Sequence, residues 1–101
     1  MMTPYEVQRS IDATRLTVRG SLDINTAPAL AEEIDKIIEA KPAKVDVDLA
    51  PLDLIDSARV AALVKLYKGI RSAGCSIKIT GARDQPLAIF KLLRMDKVFN
   101  L

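Results

Sequence analysis

LDLIDSARVAALVKL (residues 52–66) changes character half-way along. Its first part is mostly apolar and strand-like, and from Val60 onward the apolar positions fall at helical spacing. Val60, Leu63, Val64, Tyr67 and Ile70 make one stripe, so the spacing predicts a helix running to about Ala73. Gly74 then suits the left-handed position that ends many helices. Asp56 and Ser57 stand at the joint between the two halves. Either side chain can accept from the free N–H groups of a first helical turn, and one such residue suffices as a cap. A second is left without a duty. Arg59 follows, where the positive end of the helix dipole least favours a cation.

The segments on either side fix what this joint belongs to. AKVDVDLA (43–50) alternates, with Val45, Val47 and Leu49 on one face and Asp46 and Asp48 on the other. Two acids at strand spacing could hold a metal, but alternation on a half-solvated sheet explains them as well. Upstream, Ala27, Leu30, Ala31, Ile34, Ile37 and Ile38 follow the rule of an amphipathic helix. For that helix Thr26 is the expected N-cap, Pro28 is tolerated in the first turn, Glu32 and Glu33 sit toward the positive end, and Pro42 closes it. At the start, Tyr5, Val7 and Ile11 share a face, as do Leu16 and Val18, with Asp12-Ala13-Thr14 as the turn of an antiparallel hairpin. Downstream, CSIKIT (75–80) is a strand with Ile77 and Ile79 inward. A helix carrying Leu87, Phe90 and Leu93 follows, and DKVFNL (96–101) closes the chain as a short last strand.

The order is ββαβαβαβ. Strands separated by single helices run parallel, while the first two pair antiparallel. The expected fold class is therefore α/β: a small mixed sheet with helices packed on it, in one domain spanning residues 1–101. The loops that end parallel strands and begin helices gather at one edge of such a sheet. That would bring GSLDINTA (20–27) and LIDSARV (54–60) together.

Composition narrows the chemistry. Half of the 101 residues are hydrophobic but only 4% are aromatic, so the core is aliphatic. A chain of this length buries roughly 60–70% of its unfolded surface, enough to fold without staples. Fifteen basic against 13 acidic residues give a formal charge of +2, and the cations are scattered, which argues against nucleic acid or anionic membrane as partner. The chain has no His, which removes Ser-His-Asp and Cys-His catalysis and His-ligated metal sites. Lys65 lies too far along its helix to serve Ser57 as a base. The single Cys75 can form neither an internal disulfide nor a Cys-rich zinc site, and it reads as a buried strand thiol. The glycines at 20, 69, 74 and 81 form no phosphate-cradling loop. No stretch resembles a signal peptide or a membrane span, so a soluble cytoplasmic protein is expected.

Three stretches together carry a family resemblance: GSLDINTA (20–27), VDVDLAPLDLIDSARVAALVKLYKGIRSAG (45–74) and IFKLLRMDKVFNL (89–101). They resemble the STAS domain, named for sulfate transporters and anti-sigma factor antagonists, and the likeness spans nearly the whole chain. Its specific parts are Gly20-Ser21-Leu22-Asp23 with Thr26-Ala27, and the Asp56-Ser57 joint. In stand-alone bacterial members the serine at this joint is phosphorylated by an anti-sigma factor that is also a serine protein kinase. The unphosphorylated form binds that kinase and frees the sigma factor; the phosphorylated form lets go. The resemblance thus implies a non-enzymatic anti-sigma factor antagonist with Ser57 as phosphoacceptor. It implies Asp23, Thr26, Asp56, Ala58 and Arg59 as partner-binding residues, and no cofactor or metal.

Other STAS domains are cytoplasmic parts of anion transporters, of lipid-transporting ABC systems or of sensory assemblies, so a docking subunit is the alternative. The family commonly writes the joint as Asp-Ser-Ser-Gly or Asp-Ser-Thr-Gly, and here it reads Asp-Ser-Ala-Arg. Arg59 then has three readings: a pair with Asp23 or Asp56, a holder of phosphate on Ser57, or the mark of a member that docks elsewhere.

Overall fold

The computed structural model describes residues 5–101. Three strands open the chain, β1 (Tyr5–Arg9), β2 (Ala13–Val18) and β3 (Gly20–Leu22), followed by α1 (Ala27–Ala40). Then come β4 (Lys44–Asp48), β5 (Leu52–Ile55), α2 (Ser57–Ser72), β6 (Ser76–Thr80), α3 (Asp84–Leu92) and α4 (Met95–Val98). The main sheet has the order β1-β2-β4-β6, antiparallel between β1 and β2 and parallel elsewhere. The mixed α/β class read from the sequence holds.

Alternation decides the two faces of this sheet. Leu16, Val18, Val45, Val47 and Ile79 are sealed on one side against Leu30, Ile34 and Ile37 of α1 and Val60, Leu63, Leu66 and Ile70 of α2. Leu66 takes the place in the α2 stripe that the spacing assigned to Val64 and Tyr67, which are half-buried beside the core. On the other side Arg15, Lys44, Ser76, Lys78 and Thr80 meet solvent. Asp48 joins Arg15 at 3.1 Å and accepts from the Ala50 N–H at 2.9 Å, while Asp46 lies in register between Arg15 and Lys78. These acids serve the polar face and its turn.

A second, two-stranded sheet pairs β3 with β5 in parallel; the strand-like character of residues 52–55 is borne out, but the order ββαβαβαβ counted neither strand as an element of its own. Gly20 makes it possible. Its φ of 68° turns the chain out of β2 after a single residue, and its N–H donates to Pro51 C=O at 3.0 Å. The partner chain bends at the same level, through Leu49–Pro51. Gly81 lies against that bend at φ 84°, and a Cβ there would stand 2.8 Å from Ala50 N.

Four local expectations change. The hairpin turn is Ser10–Asp12, so Ala13 and Thr14 belong to β2, and Ile11, at the turn, is fully exposed. Glu32 and Glu33 fall beyond the first turn of α1, and Glu33 instead pairs with Arg9 at 2.6 Å. Cys75 is half-buried in the turn before β6, its thiol directed at Ala73 C=O.

The fourth concerns the end of the chain, which is helical where a strand was expected. Arg94, at φ 59°, breaks the chain away from α3, and α4 sets Met95 and Phe99 one turn apart, with Phe99 N–H donating to Met95 C=O at 2.9 Å. Phe99 is buried between Tyr67 and Phe90, each ring centroid 5.5 Å away. Burying one aromatic ring at helical spacing outweighs the weak alternation of V-F-N-L. Of the α3 residues expected inward, Phe90 is fully buried and Leu87 half-buried, whereas Leu93 is exposed and Pro86 is buried in its stead.

Candidate functional site

Parallel pairing of β3 with β5 sets Leu22 opposite Ile55, so the residues that follow each strand, Asp23 and Asp56, leave the small sheet side by side. The two loops expected at one edge do meet there. Asp56 is the cap of α2. Its extended backbone (φ −97°, ψ 164°) lets Oδ1 accept from the Arg59 N–H at 2.8 Å, and its own C=O accepts from Val60 N–H at 3.2 Å.

Ser57 is the first residue of the helix. It is exposed, and its hydroxyl makes no hydrogen bond within the described residues. The redundancy in the sequence is thereby resolved: Asp56 caps, and Ser57 presents an uncommitted oxygen to solvent at a helix N-terminus. Ala58 is exposed beside it.

Arg59 folds back over the cap. Its Nη1 stands 3.8 Å from Asp56 Oδ1, and its side chain is 23% exposed. Of the three readings, the pairing with Asp56 is the one this geometry contains, at the long end of an ion pair.

On the other loop the expected cap is corrected. Thr26 precedes α1, but its backbone is already helical (φ −99°, ψ −21°), not extended as an N-cap needs. Its Oγ1 instead accepts from the Asp23 N–H and donates to Ser21 C=O, both at 2.9 Å. Asp23 takes over at the helix start. Its Oδ1 accepts from Asn25 N–H at 2.8 Å and Thr26 N–H at 3.3 Å, and its C=O accepts from Ala27 N–H at 2.8 Å. Each carboxylate is thus committed to its own turn.

Several residues of this edge carry no signal in the sequence reading. Gln85, at the start of α3, clasps the backbone of Ile55: its Oε1 accepts from Ile55 N–H and its Nε2 donates to Ile55 C=O, both at 2.9 Å. The carboxamide acts as one residue of an extra strand, fixing the chain one residue before Asp56. Arg83 ties the same region together, donating to Ala50 C=O at 2.8 Å and pairing with Asp84 at 2.8 Å and Asp53 at 3.3 Å. Asp84 chiefly, then Asp53, holds the guanidinium above its ordinary pKa.

Ile24, next to Asp23, is 70% exposed, and Leu54, two residues before Asp56, is 52% exposed. An isoleucine in the otherwise polar turn DINT was the one available hint. The edge therefore combines two solvent-facing apolar side chains, two acids and a free hydroxyl. Among the described residues there is no group of three or more His, Cys, Asp or Glu that could hold a metal ion, and no helix is long and apolar enough to cross a membrane.

Solved structures share this architecture. An anti-sigma factor antagonist from Mycobacterium paratuberculosis is similar over 94% of this chain and 80% of its own, with TM-score 0.79 and 21% identity. The Bacillus cell fate determinant SpoIIAA in its phosphorylated form is similar over 92% of this chain and 86% of its own, with TM-score 0.74 and 10% identity. SpoIIAA in its unphosphorylated form covers 96% and 97%, with TM-score 0.76 and 11% identity. At such identities the likeness is one of fold. Over residues 5–101 the sequence also matches the family model described as "Mlab, STAS domain", and the chain belongs to the STAS domain family.

Proposed function

We propose that this chain is an anti-sigma factor antagonist that works by partner switching, with Ser57 as its phosphoacceptor and an anti-sigma factor with serine kinase activity as its partner. The observation that carries the reading is the exposed, unbonded Ser57 hydroxyl at the head of α2, left over because Asp56 alone does the capping. On this reading residues 1–101 act as one cytoplasmic, non-enzymatic domain that binds protein rather than nucleic acid. Asp23, Thr26, Asp56, Ala58 and Arg59 belong to the docking edge, Thr26 by shaping its loop. Ile24 and Leu54 add apolar contact area, which favours a partner surface that is apolar at its centre.

The energetics suit a switch at the interface. Phosphate adds about −1.5 to −2 charges, and a helix N-terminus favours it by about 0.3–1 kcal/mol. Each nearby carboxylate opposes it by roughly 1–4 kcal/mol per pair of unit charges at 4 Å, so within the domain the two effects cancel in part. A docked acidic surface has no such compensation. A few kcal/mol lost there weakens binding about tenfold to a thousandfold.

The direct test is incubation with the cognate kinase and ATP. One phosphate should appear, on Ser57, and Ser57→Ala protein should take up none. Equal labelling of the two proteins rejects the assignment.

Ala58 and Arg59 favour a second reading, a docking subunit of a transporter or sensory assembly. A guanidinium lies over the cap where the commoner family pattern has glycine, and it removes the close backbone approach that glycine allows. Purification from the native host separates the two. A stable complex with a transporter ATPase that survives phosphatase treatment supports the docking subunit.

A further inference from the structure

The order β1-β2-β4-β6 leaves β6 at one end of the main sheet. Ser76 N–H donates to Ala43 C=O at 3.0 Å and Thr80 C=O accepts from Leu49 N–H at 2.8 Å, so those residues turn their backbone toward β4. Alternation then turns the N–H and C=O groups of Ile77 and Ile79 outward, where no described residue pairs with them. A groove of about 250 Å³ runs along this edge, lined by Tyr67 and Arg71 of α2, Ile77, Lys78 and Ile79 of β6, and Asn100 among others. Among the described residues no carboxylate side chain lines it. Arg71 lies over the Tyr67 ring at 5.7 Å, which presents its charge at the rim, and Lys78 points from the opposite, solvent-facing side of the sheet.

An open strand edge invites pairing with another chain, and lysine on such an edge commonly discourages it. Here two cations flank the edge, so the discouragement applies to neutral or basic strands and turns to attraction for an acidic one.

We propose that the β6 edge is a second protein-docking site, separate from the Ser57 edge, which takes an extended acidic segment of a partner as an added strand. The two sides of the groove specify the segment further. Side chains facing α2 lie beside Ile77, Ile79 and Tyr67 and are apolar. Those on the other side lie beside Lys78 and are Asp or Glu. The recognised segment alternates acidic and apolar residues, and its main chain bonds to Ile77 and Ile79.

The probe is the peptide acetyl-Glu-Val-Glu-Val-Glu-amide, titrated into isotope-labelled protein while backbone amide resonances are followed. The Ile77 and Ile79 amides should shift saturably and gain protection from exchange. The same peptide N-methylated at alternate residues, and its Lys-for-Glu counterpart, should both fail. Charge reversal by Arg71→Glu with Lys78→Glu, both on exposed side chains, should weaken binding about tenfold. The proposal is overturned if the Ile77 and Ile79 amides stay unmoved to millimolar peptide, or if the lysine peptide binds equally well. Shifts confined to β1 amides, or sedimentation showing that the free protein already pairs with itself through Ile77 and Ile79, overturn it too.

Discussion

Gln85 supplies two hydrogen bonds that β5 would otherwise take from a neighbouring strand, and it does so next to the residue that caps α2. Replacing it with alanine strands a partly buried N–H and C=O together. Gln85→Ala should cost about 1–3 kcal/mol, read as a lower denaturant midpoint with unchanged slope. Gln85→Glu should recover less than half of the loss, because it keeps the acceptor but loses the donor. A stability equal to the parent's would show that the clasp contributes nothing. Asp56 and Ser57 were legible in the sequence because a cap is a local affair, settled within one turn of helix. Gln85 was not legible, because its partner is 30 residues away and nothing in the neighbouring residues points to it. Thr26 was read by type when its backbone angle decided the matter.

Elements followed the same division between local and distant causes. α1, α2, β4 and β6 could be read from their periods, since each buries a whole stripe or face. The short β3–β5 ribbon has too few residues to show a period and depends on the turn at Gly20, a property of two chains bending together. At the C-terminus, six residues fit an alternating pattern about as well as a helical one, and the aromatic contacts with Tyr67 and Phe90 decide for α4. That account predicts a large effect for one side chain. Phe99→Ala should destabilise the protein by about 3–5 kcal/mol and lose the amide-exchange protection of α4 first, whereas the exposed Val98→Ala should change little. If Phe99→Ala unfolds at the parent's denaturant concentration, α4 is held by something other than its ring.

At the scale of the whole molecule, the joint carrying Ser57 stands on the small ribbon, outside the ladder of the main sheet. Modification at that serine therefore meets solvent rather than core. Ser57→Asp, or the phosphorylated protein, should keep the parent's amide spectrum in β2, β4 and β6 and shift stability by less than about 1 kcal/mol. Its affinity for the partner should meanwhile fall by tenfold or more. Loss of core resonances would place the switch in a refolding event instead. The mixed α/β class was the most legible feature of all, because the order of strands and helices alone limits the ways the chain can be layered.

The buried stripes of α1 and α2 lie against one face of the main sheet, and the molecule measures 34 × 33 × 19 Å. A slab that thin has a shallow inside, filled by aliphatic groups together with the rings of Phe90 and Phe99. If Ser57 carries the proposed signal, that signal is written on the skin of this slab, and changing it leaves the interior packing as it was.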